Sequence, residues 1–504
     1  MAQIRDQWTS RAGFILAAVG SAIGLGNIWR YPYTVYEHGG GAFLIPYFVA
    51  LLTAGIPLLL LEYAMGHKNR GSAPLAYHKL SKKWEWLGWW QAVVAFLISS
   101  YYVIILAWAM SYTWYSVGTQ WGQDTEKFFL DQYLGVAQTN GFWDFGGLQL
   151  SVVIPLVIIW AFIYFVMRQQ AHKGIERLTR IVMPVLLVLM VIITLRGVTL
   201  EGATTGLNAL LTPDFGALMD PNVWVAAYGQ VFFSLSVGFA TMITYASYLK
   251  KTDDLANSGL ICALANSGFE FMAALGVFGA LGFLAVQSGV DVQEVVGGGI
   301  GLAFIVFPKI ISQLPWLNSL FGVIFFGTLV IAGLTSIVSL VEPVVSAVRD
   351  KLGLARTTAV NWICGISFLI SILYATKGGI NYLDLVDHFV NTYGLLFGTI
   401  LMTLVTAWFT RKVGDLQNHI NEVSDVHIGN WWIFCVKYMT PVMLIIITGV
   451  HIWEEWLAPY GGFPQSAIWG MGWGALLAAL ITGIIFQRIE WKTIDQSLRD
   501  KEGA

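Results

Sequence analysis

Residues 20 to 27 read Gly20-Ser21-Ala22-Ile23-Gly24-Leu25-Gly26-Asn27, inside an apolar stretch that runs from about 11 to 37. Each glycine weakens a helix by about 1 kcal/mol relative to alanine, so a helix entering this run is poorly held. A backbone group freed by a break in hydrocarbon costs several kcal/mol unless protein or a cavity satisfies it. A second run of the same kind, Phe233-Ser234-Leu235-Ser236-Val237-Gly238-Phe239, interrupts the apolar stretch 223 to 248. Glycine alone also serves close helix packing. Here it comes with Ser and Asn, and open helix ends present amides to an anion and carbonyls to a cation. Two such breaks in corresponding places predict an inverted repeat with a binding site at the midplane between the halves.

The rest of the chain agrees with a membrane setting. Of 504 residues, 56% are hydrophobic and 12% charged, against about a quarter charged in soluble domains. Beyond the two interrupted stretches, apolar segments fall at 41 to 66, 86 to 117, 149 to 167, 175 to 195, 255 to 286, 319 to 348, 357 to 376, 384 to 410, 430 to 453 and 466 to 487. A bilayer core of about 30 Å takes roughly 20 residues of helix, so the expected fold is an all-α integral membrane protein of about 12 transmembrane helices. A 5+5 inverted repeat would have spans 1 and 6 broken. The corresponding divisions are an N-terminal segment 1–10, a first repeat 11–195, a loop 196–222, a second repeat 223–410, two further helices over 411–487 and a tail 488–504.

With the N-terminus inside, the inner loops and tails carry 22 Lys or Arg, and the outer ones only Lys127, Arg196, Lys309 and Lys377. That asymmetry predicts both termini in the cytoplasm. The N-terminal residues show no small-residue cleavage site and are expected to be retained. A net charge of -2 gives no basic surplus for nucleic acid. Cys262, Cys364 and Cys435 stand singly, without metal-ligand spacing. Neither a Walker A sequence, HExxH nor a nucleophile elbow is present, and Gly297-Gly298-Gly299-Ile300-Gly301 follows no strand, which argues against an enzyme.

The stretch from Gly20 through Trp29-Arg30-Tyr31-Pro32, followed by Gly39-Gly-Gly-Ala-Phe-Leu-Ile-Pro-Tyr47, resembles the neurotransmitter:sodium symporter family. Ser99 to Tyr102, Lys173-Gly-Ile-Glu-Arg177, Trp224 to Tyr248, Ala332-Gly-Leu-Thr-Ser336 and Leu383-Asp-Leu-Val-Asp387 extend the match in order along the chain. The resemblance implies sodium-coupled transport of a small substrate and two sodium sites built from hard oxygen ligands. The first would use Ala22, Asn27, Ser234 and Asn266 with an oxygen of the substrate carboxylate. The second would use Gly20, Ile23, Ala332, Thr335 and Ser336, tying span 1 to span 8.

For the substrate, the resemblance implies a pocket of Ser21, Ala22, Leu25, Gly26, Ile98, Tyr102, Phe233, Ser234, Ser236, Phe239, Ser336, Ser339 and Leu340. Tyr102 and amides near Gly26 would take a carboxylate. Monoamine carriers of the family place an aspartate at the position of Gly24, so a neutral α-amino acid is expected here. Arg30 and Asp387 resemble an outer gate, and Arg5, Trp8, Ser247, Tyr248 and Asp350 an inner gate. Glu62 would serve the backbone freed in span 6. Gly174 and Pro184, nine residues apart between them, resemble a motif at which span 5 unwinds, although a plain helix end at Gly174 reads equally well. Glu342 and Lys437 have no assigned role.

Glu270 lies one helical turn after Asn266, on the same face. Chloride-dependent members of the family carry serine there, with chloride among residues matching Tyr47, Gln230 and Ser234. A carboxylate would supply that charge itself, so no chloride is expected, and proton uptake by Glu270 would accompany the return step. A sodium channel or an amino-acid sensor of the same fold are the competing readings. A bacterial inner membrane is the expected location. Spans 11 and 12 either pair two copies of the chain as a homodimer or face membrane lipid.

Overall fold

The computed structural model describes residues 5–492. Residues 1–4 and 493–504, the ends of the expected N-terminal segment and tail, lie outside the described residues. The structure is a helical bundle with no strand among the described residues, only an isolated bridge between Leu148 and Thr376.

The first expected span is two helices, α1 (Arg11–Ala22) and α2 (Leu25–Glu37), bent by 55°. Ser10 caps α1 by accepting from the Gly13 amide at 3.1 Å. The helix stops where Ile23 and Gly24 turn extended, and Asn27 Oδ1 then accepts from Gly24 N at 2.8 Å to start α2. After it come long apolar helices: α3 (Gly40–Asn69), α4 (Lys82–Tyr115), α5 (Leu150–Met167) and α6 (Ile175–Val198).

The sixth stretch, 223 to 248, is also divided, into α7 (Pro221–Ser234) and the single-turn α8 (Thr241–Ala246). Between them Ser236, Gly238 and Ala240 take φ of 53°, 89° and 61°. The left-handed region costs a non-glycine residue about 1–2 kcal/mol. Side chains from elsewhere hold it in place. Glu62 Oε1, on α3, accepts from Gly238 N at 2.7 Å, and Ser236 Oγ donates to the Ser21 carbonyl at 2.9 Å, joining the two breaks.

The second half continues with α9 (Leu255–Ser288), α10 (Asn318–Leu352), α11 (Arg356–Tyr374), α12 (Gly379–Phe409), α13 (Asn430–Gly462) and α14 (Gln465–Arg488). Among the described residues ten helices are thus long and apolar enough to cross a membrane, and the bent pair makes eleven. The expected sixth span falls short of that length because its middle six residues are not helical. The expected loop 196–222 contains a helix, Ala203–Leu211, on which Gly206 lets the chain press against the Phe278 carbonyl of α9. The helices α4 and α10 share the most extensive contact of the bundle and flank the α1–α2 break, whereas α5, α6 and α14 leave much of their surface outward.

Candidate functional site

A cavity of about 890 Å³ opens where the two breaks face each other. Of the residues expected to hold a substrate, Ser21, Ala22, Leu25, Gly26, Ile98, Tyr102, Phe233, Ser236, Phe239, Ser336 and Leu340 line it. The remaining two are absent from its lining. Ser234 lies behind the wall among the asparagines described below. Ser339 is drawn into the packing of α10 on α8, donating to the Thr335 carbonyl at 2.8 Å and accepting from Tyr245 OH at 2.9 Å.

The N-terminus of α2 opens on this cavity, because Gly24, Leu25 and Gly26 form part of its lining. Leu25 N donates to the Tyr102 hydroxyl at 3.4 Å. A Cβ on Gly24 would stand 3.1 Å from Ser336 Oγ and 3.3 Å from Tyr102 OH, and one on Gly26 only 2.8 Å from the Phe233 ring. Absent side chains therefore leave the helix end and the Tyr102 hydroxyl accessible to an anionic group.

From the cavity wall, which Asn27 helps to form, Asn27 Nδ2 donates to Asn266 Oδ1 at 2.8 Å and to Ser234 Oγ at 3.3 Å behind it, and Asn266 Nδ2 donates to Ser234 Oγ at 2.5 Å. The break residue Ala22 lies nearby in the cavity wall. Each amide oxygen has two lone pairs, so one engaged in these bonds retains a second for a cation. This donor set fits a hard cation of small charge. Along the seam of α1 and α10, Ser336 Oγ donates to the carbonyls of Ile23 at 3.1 Å and Ala332 at 3.3 Å, and Thr335 Oγ1 to Ala332 at 2.8 Å. Gly20 completes that group, its would-be Cβ 3.4 Å from Thr335 Cβ. Both expected oxygen sets are therefore gathered in space, each joining a break to a continuous helix.

Glu270 is completely buried in α9 and accepts from Gln230 Nε2 at 2.7 Å and from the Tyr47 hydroxyl, which also bonds to Ser267 Oγ at 2.9 Å. Both partners belong to the residues expected around it. Among the described residues no Lys, Arg or His forms an ion pair with this carboxylate. The Glu270 carboxyl group thus lies deep in the protein, held by neutral donors one helical turn from the Asn27–Ser234–Asn266 group of oxygens.

The two ends of the cavity differ. Arg30 and Asp387 both line it but form no ion pair; Arg30 lies over the Phe233 ring at 4.8 Å and Asp387 accepts from Asn391 Nδ2 at 2.6 Å. On the side of the chain termini the expected inner-gate residues are locked together. Arg5 meets Asp350 at 2.9 Å and Ser247 Oγ at 2.6 Å and stacks over Tyr248 at 5.1 Å. Burial, the largest single influence, works to lower the Arg5 pKa, but Asp350, Tyr248 and Asp6 together keep the guanidinium above its ordinary value. Trp8, buried, donates from its ring to the Tyr245 carbonyl at 2.8 Å and from its amide to the Tyr248 carbonyl at 3.0 Å.

Sequence reasoning left Glu342 without a role. In the structure it pairs with Arg356 at 2.6 Å and accepts from Tyr248 OH at 2.7 Å, while Arg356 and Arg349 both reach Asp6, at 2.9 and 3.1 Å. The signal was present in a carboxylate within a span, but its partner lies beyond the end of α10. Glu176 was also missed. It accepts from Thr9 N at 2.8 Å and presses so closely on α1 that a Cβ on Gly13 would overlap it. Gly174 immediately precedes α6, and the helix runs unbroken through Pro184. Span 5 is therefore fully wound here, and Gly174 marks a plain helix start. Lys437 lies over the rings of Trp408 and Tyr438 at 4.8 and 5.1 Å.

Comparison with known sequences places this geometry in context. The model of the Sodium:neurotransmitter symporter family matches residues 5–125 and 119–494. An uncharacterised sodium-dependent transporter of Methanocaldococcus jannaschii is 41% identical over 96% of this chain and 98% of its own length. The sodium-dependent dopamine transporter of Bos taurus is 29% identical over 99% of this chain and 77% of its own. The human sodium- and chloride-dependent GABA transporter 2 is 31% identical over 87% and 78%.

Proposed function

The chain belongs to the sodium:neurotransmitter symporter family, and on that premise we propose that it uses a sodium gradient to take up a neutral, mainly apolar amino acid, without chloride and with a proton carried back. It is a sodium-dependent symporter in a multi-pass membrane protein. The observation that carries the finer reading is the meeting of three features: a cavity that exposes the N-terminus of α2, the oxygen cluster of Asn27, Ser234 and Asn266 beneath it, and the buried carboxylate of Glu270 beside that cluster.

The substrate carboxylate takes the α2 amides and the Tyr102 hydroxyl, and its second oxygen completes the shell of the first sodium. Ion and substrate then bind together. Carbonyls left free where α7 stops take the ammonium. Ile98, Phe233, Phe239 and Leu340 surround the side chain. The cavity wall also carries Arg30, which lies over the Phe233 ring, and Asp384, Asp387 and His388. A second sodium at Gly20, Ile23, Ala332, Thr335 and Ser336 fixes α1 against α10. When sodium leaves, Glu270 loses its cation and a proton takes its place. Both termini are assigned to the cytoplasm from the Lys and Arg asymmetry.

The test is uptake by the purified protein in proteoliposomes under an imposed inward sodium gradient, with neutral, basic and acidic amino acids compared. Accumulation of leucine, alanine or an aromatic amino acid above the external concentration is expected, and abolished by replacing sodium with potassium. Downhill flux alone means a channel, and binding without flux a sensor. Tight binding of only lysine or glutamate overturns the neutral substrate.

A further inference from the structure

A second cavity, of about 300 Å³, lies away from the central one, between Thr9 and the turn from α5 into α6. Gln169, His172, Lys173, Arg177 and Arg180 form the rest of its wall together with Glu176. The one carboxylate is already engaged, accepting from Thr9 N at 2.8 Å and from Arg180 at 2.6 Å. Lys173 and Arg177 are exposed and form no ion pair among the described residues. The cavity thus has a surplus of positive charge facing an open space, and nothing in the transport reading uses it.

Its position distinguishes among anions. The turn joins two apolar helices, α5 and α6, only 39% and 28% buried in their most apolar windows. Beyond Arg177 and Arg180 the outward faces carry large apolar residues, Phe162, Phe165, Ile181 and Val185, between 38% and 63% exposed. In a bilayer these faces meet acyl chains, and a helix end at this level meets headgroups. We propose that this cavity binds the headgroup of one anionic phospholipid, its phosphate held by Lys173, Arg177 and Arg180 and its acyl chains lying on the outward faces of α5 and α6. A soluble anion would use the cations alone and gain nothing from the apolar faces. Bound there, the lipid bridges the N-terminal segment at Thr9 and the first turn of α6, where Glu176 already presses on Gly13. It therefore favours the conformation in which these two elements stay together.

The experiment is native mass spectrometry of the full chain in detergent with phosphatidylglycerol or phosphatidylcholine added. Wild type should retain one phosphatidylglycerol several-fold better than phosphatidylcholine, a comparison that needs no variant. In the double variant Lys173→Gln/Arg177→Gln, retention should fall about tenfold or more, since each cation near an anionic lipid contributes separately. Lys173→Arg/Arg177→Lys should keep it. Equal retention of the two lipids by wild type, or retention unchanged in the glutamine pair, overturns the proposal. So does displacement of phosphatidylglycerol by millimolar inorganic phosphate, which would mark a site for a soluble anion.

Discussion

The two ends of the central cavity carry the same kind of chemistry in opposite conditions. At one end Arg30 and Asp387 face the same space and stay apart, each with a neutral neighbour. At the end nearer the termini, Arg5–Asp350, Arg356–Glu342 and the pairs from Asp6 to Arg349 and Arg356 are closed around the buried ring of Trp8. An exposed pair that is not formed contributes little, whereas a buried pair that loses one partner costs about 3–5 kcal/mol because the other charge stays out of water. Separating any one of the pairs at the end nearer the termini therefore carries that penalty. On the proposed transport cycle, bringing Arg30 and Asp387 together at the open end breaks no ion pair.

The largest effect expected on this contrast is Arg356→Ala, which strands Glu342 and leaves Asp6 with Arg349 alone. Opening of the terminal end should become easier by about 3–5 kcal/mol. The measurement is thiol labelling of a cysteine placed at Ser247 or Ser346, which should speed up by at least a hundredfold, with concentrative uptake lost. Labelling at the wild-type rate in a folded variant would show that the ion network does not close this end.

A middle-sized effect is expected where the two ends communicate, at the oxygens below the cavity. Removing a hydrogen-bonding partner of a charged group costs about 1.5–3 kcal/mol, so Asn27→Ala should raise the sodium concentration for half-maximal substrate binding by roughly tenfold or more. Binding by scintillation proximity over a sodium series reads this directly. An unchanged sodium dependence would remove Asn27 from the cation's ligands and leave it only as the cap of α2.

Asp387→Asn should give the smallest effect. With no ion pair to break in this conformation, substrate affinity should change by less than about threefold. Turnover should slow more than binding weakens, because Arg30 loses the partner with which it would shut the open end. Equal losses in both would mean that Asp387 holds substrate directly.

These contrasts also mark how far the sequence could be read. The break at Gly20 to Asn27 was legible because glycine together with serine and asparagine inside an apolar run marks a broken helix locally. Glu62, which meets Gly238 from a distant part of the chain, was assigned through the resemblance. The Arg356–Glu342–Asp6 network was not legible, since it links residues far apart in the chain whose partnership depends on how α10, α11 and the N-terminal segment pack. Ser339 failed for a related reason. It lies close in sequence to Ser336 and Leu340, which line the cavity, yet its hydroxyl is committed to Tyr245 and Thr335 by the packing of α8. The wound α6 past Gly174 and the separation of Arg30 from Asp387 had no sequence signal either.

On the proposed function, Glu270 is the anion that a sodium ion at Asn27, Ser234 and Asn266 requires. At an effective dielectric near 20, opposite unit charges about 4 Å apart attract by roughly 4 kcal/mol, enough to decide whether the cluster holds sodium. The direct measurement is sodium-driven uptake in proteoliposomes by wild type and Glu270→Ser, each in chloride and in gluconate, with a lumenal dye following protons. Wild type should transport equally in both media and move protons, and the variant should transport only in chloride and move none. A variant that stays fully active in gluconate while still moving protons would contradict the claim.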